Sequence, residues 1–96
     1  MSEPPDRRAR IEAELRERLT AVHVEVVDES HLHVGHAGAR EGGGHFRAVV
    51  VSAQFNGRSP VERQRLVYRA LENVMGSEIH ALSLRTLTPA QWTAVD

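Results

Sequence analysis

His45-Phe46-Arg47-Ala48-Val49-Val50-Val51-Ser52 is the most continuously apolar, β-branched run in the chain. A run of this kind predicts a strand buried on both faces, and the rest of the chain has to fold around it. A Gly- and His-rich stretch leads into it, and Asn56-Gly57 marks a turn leading out toward a helix. The chain has 96 residues, enough for one core, so we expect a single domain over 1–96.

Helical and strand periods fill the remainder. After Pro4, Pro5 and Asp6, the residues Ile11, Leu15 and Leu19 recur in steps of four and predict a helix. Glu12 with Arg16 and Glu14 with Arg18 are i,i+4 pairs for its wet side, and the cluster Arg7, Arg8 and Arg10 reads as a solvated helix end. Val22, Val24 and Val26 alternate with His23, Glu25 and Val27, which predicts a strand with one buried face, ending at Asp28-Glu29-Ser30. From His31 to Gly44 the chain holds five of its seven glycines. That stretch has no period, so it reads as a long mobile loop of the kind that often carries function.

Beyond the turn, Ser59-Pro60-Val61-Glu62 has the helix-start signature of a capping box with proline at the first helical position. Val67, Ala70, Leu71 and Val74 form the inward stripe of that helix, and Gly76 is placed to end it. Ile79 to Thr86 alternates again, with His80, Leu82, Leu84 and Thr86 on one side and Ile79, Ala81, Ser83 and Arg85 on the other. Thr88-Pro89-Ala90-Gln91 repeats the capping logic before a short last helix docked by Trp92. The expected order is α-β-β-α-β-α, an α+β domain. The first two strands pair antiparallel and the last two parallel, in a three-stranded mixed sheet with helices mainly on one face.

Composition narrows the function. Hydrophobic residues at 41% and charged residues at 26% suit a folded soluble domain. No apolar run is long enough to span a membrane, and the start Met1 to Pro5 lacks a signal-peptide pattern, so the expected location is cytoplasmic and residues 1–5 are expected to be disordered. The net charge of -1 gives no overall attraction to nucleic acid. There is no cysteine, so disulfides are excluded and any iron–sulfur cluster would need sulfur from another molecule.

Histidine is the residue type best able to do chemistry here. His31, His33 and His36 lie in the loop, His45 enters the buried strand and His80 opens the third. A neutral imidazole is a good metal ligand, but loop histidines also read as polar filler, and His80 beside Leu82 and Leu84 reads as a core histidine. No nucleophile elbow, phosphate loop or zinc-protease signature occurs, so no enzymatic activity is expected. Gly35-His36-Ala37-Gly38 matches the KH-type Gly-x-x-Gly but lies between two strands, where such a clamp serves no purpose. Arg58, Arg65 and Arg69 could form a phosphate-facing patch, partly neutralised by Glu62 and Glu72.

Taken together, Val26-Val27-Asp28-Glu29-Ser30, His45-Phe46-Arg47 with its valine run, Phe55-Asn56-Gly57-Arg58-Ser59, Arg63-Gln64-Arg65-Leu66-Val67-Tyr68, Ile79-His80-Ala81-Leu82-Ser83 and Thr86-Leu87-Thr88-Pro89 resemble the BolA-like family along nearly the whole chain. The resemblance implies a class II KH-like fold. It also implies a monothiol glutaredoxin partner that shares a bridging 2Fe-2S cluster, with thiolates from glutaredoxin and glutathione and histidines from this chain, and no cofactor when the chain is alone as a monomer or weak homodimer. The family's C-terminal ligand falls on His80. Its loop ligand falls on His33 when counted forward from Ser30 and on His36 when counted back from His45. Gln64 stands where many members carry histidine. The competing implication is a transcriptional regulator of cell shape and stress response that contacts duplex DNA through the second helix and its preceding turn, here Arg58, Arg63, Arg65 and Arg69.

Overall fold

The computed structural model describes residues 7–29, 44–74 and 79–95. The elements are α1 (Arg7–Leu19), β1 (His23–Asp28), β2 (Gly44–Val51), α2 (Pro60–Ala70), β3 (Ile79–Leu87) and α3 (Pro89–Val95), with a 3-10 turn at Ala53–Phe55. Sheet order is β1-β2-β3. β1 pairs antiparallel with β2, and β2 pairs parallel with β3, so the valine run is the central strand. The α2 helix makes the crossover between the two parallel strands.

One face of the sheet carries the core. Val24 and Val26 of β1 and Phe46, Ala48 and Val50 of β2 pack with Ile11, Leu15 and Leu19 of α1 and with Val67, Ala70, Leu71 and Val74 of α2 and the turn after it. The i,i+4 pairs read from α1 are formed, Arg16 to Glu12 at 3.2 Å and Arg18 to Glu14 at 2.7 Å. Thr20, at φ 49, turns the chain out of α1 in the left-handed region, which is costly for a residue with a Cβ. Gly57, at φ 72, supplies the same conformation in the β2–α2 connection without that cost.

Both capping boxes are present. The Ser59 hydroxyl accepts from Glu62 N at 3.2 Å, and Glu62 Oε1 accepts from Ser59 N at 2.9 Å. At α3, Thr88 Oγ1 accepts from Gln91 N at 3.2 Å and Gln91 Oε1 accepts from Thr88 N at 2.9 Å.

Three local expectations need correction. Val22 does not continue the buried face of β1. It precedes the strand and is 63% exposed, held by its N–H to Val51 O at 2.9 Å. The central strand is not buried on both faces throughout: on the face away from Phe46, Ala48 and Val50, Arg47 is exposed, His45 and Val49 are half-buried, and only Val51 is sealed. The alternation of β3 breaks at its start, because a register irregularity at Gly44/His45 leaves Ile79 2% exposed and in the core, while Ala81, Ser83 and Arg85 are exposed. The predicted helix stop at Gly76 lies outside the described residues.

The sealing of Val51 shows what α3 does. Its register partners are His23 and Leu87, on the face opposite Val24 and Val26. Trp92 of α3 stacks on the His23 ring, with centroids 4.5 Å apart and planes 19° apart. Thus α1 and α2 cover one face, and α3 closes one end of the other.

Candidate functional site

The opposite end of the sheet holds the backbone of His80 and both attachments of the segment that contains the loop histidines. Here β1 finishes and both β2 and β3 begin. Gly44 pairs with Ile79, and Glu29 N donates to His45 O at 2.7 Å. Neighbouring strands lie about 4.8 Å apart, so the last residue of β1, the first of β2 and the first of β3 form one compact rim. His80 is the second residue of β3 and therefore belongs to this rim in the backbone.

The segment 30–43 leaves the sheet after Glu29 and returns at Gly44, so both its attachments are on the same rim. His31, His33 and His36 lie in that segment, outside the described residues. An extended chain advances about 3.5 Å per residue, which keeps His33 within about 14 Å of Glu29 and His36 within about 25 Å. Either position satisfies that bound, so the choice between His33 and His36 stays open. The Gly35–Gly38 motif also lies in this segment.

Two features of the rim had no sequence signal. Glu29 Oε2 pairs with Arg47 Nη2 at 3.0 Å, tying the residue after β1 to the exposed face of β2. His45 is half-buried and its Nε2 is sealed from solvent. Both follow from strand register, which residue spacing along the chain does not reveal. Among the described residues, no group of three or more His, Asp or Glu side chains is arranged to hold a metal ion.

The arginine set divides in two. Arg58, Arg65 and Arg69 are exposed and line one hollow of about 260 Å³ with Glu62 and Leu66. Arg63 turns inward: its Nε donates to Arg58 O at 3.0 Å, and its Nη1 donates to Gln91 Oε1 at 3.0 Å and Thr86 O at 3.4 Å. Since Leu87 O accepts from Ser52 N on the β2 side, Thr86 O faces the free edge of β3, and Arg63 covers it. The guanidinium also sits 6.0 Å from the centroid of the Phe55 ring. Its Nε and Nη1 donors thus hold α2, β3 and the α3 cap together.

Glu62 is ionised in this patch. The Ser59 backbone and hydroxyl hydrogen bonds hold its carboxyl below the ordinary carboxylate range, with smaller contributions from Arg58 and Arg65. The neighbouring position Gln64 donates to Tyr68 Oη at 3.0 Å within the same helix.

An α+β domain with this mixed sheet, a Gly- and His-rich connection returning to the start of β2, and a capped crossover helix defines a class of small domain with a KH-like element order. The sequence matches the family model described as BolA-like protein over residues 15–91. The chain belongs to the BolA-like family. It is 42% identical over 84 residues to mouse BolA-like protein 1, covering 88% of this chain and 59% of that protein. It is 40% identical over 85 residues to the Escherichia coli K12 protein named DNA-binding transcriptional regulator BolA, covering 88% of this chain and 78% of that protein. The fold is similar to the BolA domain of SufE1 from Arabidopsis thaliana, with TM-score 0.77 and 39% identity over 92% of this chain and 98% of that one. The chain spans about three-fifths of the length of the mammalian relatives it matches. No helix among the described residues is long and apolar enough to cross a membrane.

Proposed function

We propose that this protein is a non-enzymatic, cytoplasmic adaptor in iron–sulfur trafficking or iron sensing that pairs with a monothiol glutaredoxin and helps to ligate a shared 2Fe-2S cluster. The observation that carries this reading is the rim at which His80 stands second in β3 while both ends of the histidine-bearing segment 30–43 attach beside it. Two imidazoles replacing two thiolates on one iron is established cluster chemistry, and it raises the reduction potential relative to an all-thiolate centre. The cluster supplies electron storage or transferable iron and sulfide. This chain, having no cysteine, supplies nitrogen ligands and leaves the thiolates to glutaredoxin and glutathione.

His80 and either His33 or His36 are the ligands in this reading. His80 sits at the register irregularity, between Ile79 and Ala81, which pair with Gly44 and His45, while the segment 30–43 would bring the second imidazole from two anchored ends. Such an arrangement suits a centre completed only when a partner docks. The test is to mix the protein with a monothiol glutaredoxin, glutathione, ferrous iron and sulfide, and to record visible absorption and circular dichroism. The spectrum should differ from that of the glutaredoxin-only complex and should revert toward it with His80→Ala. Spectra indifferent to this chain would contradict the reading.

A second reading, contact with duplex DNA, is favoured by the name of the E. coli relative and by Arg58, Arg65 and Arg69 around one hollow. It has less support. Arg63 is engaged internally, and an ionised Glu62 stands in the middle of the patch. Its test is the salt dependence of DNA affinity, which should be steep and should flatten when the three exposed arginines are replaced.

A further inference from the structure

The arginine patch continues beyond the α2 face into a second hollow. Arg18, Leu19, Gln54, Leu66, Arg69 and Ala70 line a space of about 310 Å³ where the end of α1 meets α2. It shares Leu66 and Arg69 with the hollow lined by Arg58, Glu62 and Arg65. The two make one groove with four arginines and a single glutamate on its walls and an apolar floor of Leu19, Leu66 and Ala70. This concentration of positive charge stands on a chain whose net charge is -1.

The charges are not equally committed. Glu62 is held by the Ser59 backbone and hydroxyl at the start of α2, where the helix dipole already favours its negative charge. Arg18 pairs with Glu14 at 2.7 Å and lies 3.9 Å from Glu72, and Arg58 Nε donates to Gln54 O at 3.0 Å. The side chains of Arg65 and Arg69 form no hydrogen bond or ion pair with another described residue, and they flank the apolar floor.

We infer that this groove, formed by α1 and α2 around Leu66, docks an acidic peptide segment of a partner protein, with one apolar side chain in the Leu19–Leu66–Ala70 hollow and carboxylates on Arg65 and Arg69. Three observations favour such a peptide over a nucleic-acid backbone. An apolar floor between the arginines has no counterpart in a phosphodiester chain, whose charges repeat at every residue. The ionised Glu62 would face those phosphates, whereas a peptide can place an uncharged residue opposite it. Aromatic residues are 4% of the chain, and none lines the groove to stack a base. The groove lies on the helical side of the molecule and is independent of the histidine rim.

The test uses the full-length protein, labelled with 15N, titrated with the blocked peptide acetyl-Glu-Asp-Leu-Glu-Asp-amide and, separately, with a 20-base-pair duplex. Amide shifts with the peptide should centre on Leu19, Gln54, Leu66, Arg69 and Ala70. The double substitution Arg65→Ser with Arg69→Ser, at exposed positions, should weaken the peptide by about tenfold, as two exposed ion pairs allow. Replacing the leucine of the peptide by serine should weaken binding further without touching the protein, so folding does not complicate that arm. Failure of the peptide to shift these amides at millimolar concentration overturns the inference. So does indifference to the peptide leucine, or a duplex that binds these residues more tightly than the peptide does.

Discussion

The Trp92 ring lies flat on the His23 ring, 4.5 Å between centroids, and joins the last helix to the first strand. His23 Nε2 is in turn 2.7 Å from Glu25 Oε2, so the imidazole is held on its edge as well as its face. The stack sits over the end of the sheet where Val51 is fully buried outside the main core. We expect Trp92→Ala to release α3 and destabilise the protein by about 2 kcal/mol, below the cost of truncating a wholly buried tryptophan because Trp92 is only half-buried. Trp92→Phe, which keeps an aromatic ring for the stack, should lose less. Urea unfolding followed by far-UV circular dichroism checks both.

Ser52 is one of the few buried polar side chains, and its hydroxyl has two partners. It donates to Leu19 O at 2.7 Å and accepts from Gln54 N at 3.1 Å, joining the end of α1 to the 3-10 turn after β2. Ser52→Ala leaves a buried carbonyl without its donor. The expected loss is about 1–3 kcal/mol, read as a lower urea midpoint at unchanged slope.

Arg63 and Arg65 are two positions apart in sequence and differ in role. Arg63 bonds Arg58 O, Thr86 O and the Gln91 side chain, whereas Arg65 faces solvent. Arg63→Ala should cost about 1–2 kcal/mol of stability, and Arg65→Ala should stay within about 0.5 kcal/mol of wild type. Thermal unfolding of the two variants side by side separates a structural arginine from one available for binding.

The lowered pKa of Glu62 sets the sign of a pH effect. Ser59 hydrogen bonds favour the carboxylate in the folded state, so the stabilisation is present above the unfolded-state pKa and fades as pH falls through the folded one. Glu62→Gln should therefore be less stable than wild type at neutral pH, with the difference closing in the acid range below the ordinary value of 4.5. Urea midpoints of the pair between neutral and acid pH check the direction.

What the sequence disclosed was the local part of this fold. The capping boxes at Ser59 and Thr88, the α1 ion pairs and the inward stripe Val67, Ala70, Leu71 and Val74 depend on neighbours three or four residues away, and spacing alone locates them. The β2 run marked a strand but not its burial, since Arg47 is exposed on the face away from the core; its central place followed from a hairpin on one side and a helical crossover on the other. Sheet register, by contrast, has no local signal. It decided that Val22 is exposed, that Ile79 joins the core through an irregular pairing and that Glu29 meets Arg47. Arg63 looked like its exposed neighbours because its acceptors, Thr86 O and Gln91, lie more than twenty residues away. At the candidate centre, the sequence named the histidines and strand topology brought His80 to the rim, while the choice between His33 and His36 depends on residues beyond those described.

The central claim is that nitrogen from this chain binds the shared cluster. The most direct measurement is pulsed electron paramagnetic resonance on the one-electron-reduced complex of glutaredoxin, glutathione and this protein, with only this protein labelled with 15N at histidine. The account predicts strongly coupled 15N signals that are lost or reduced with His80→Ala. A reduced cluster coupled to no labelled nitrogen, or one whose couplings are the same with and without His80, would contradict it.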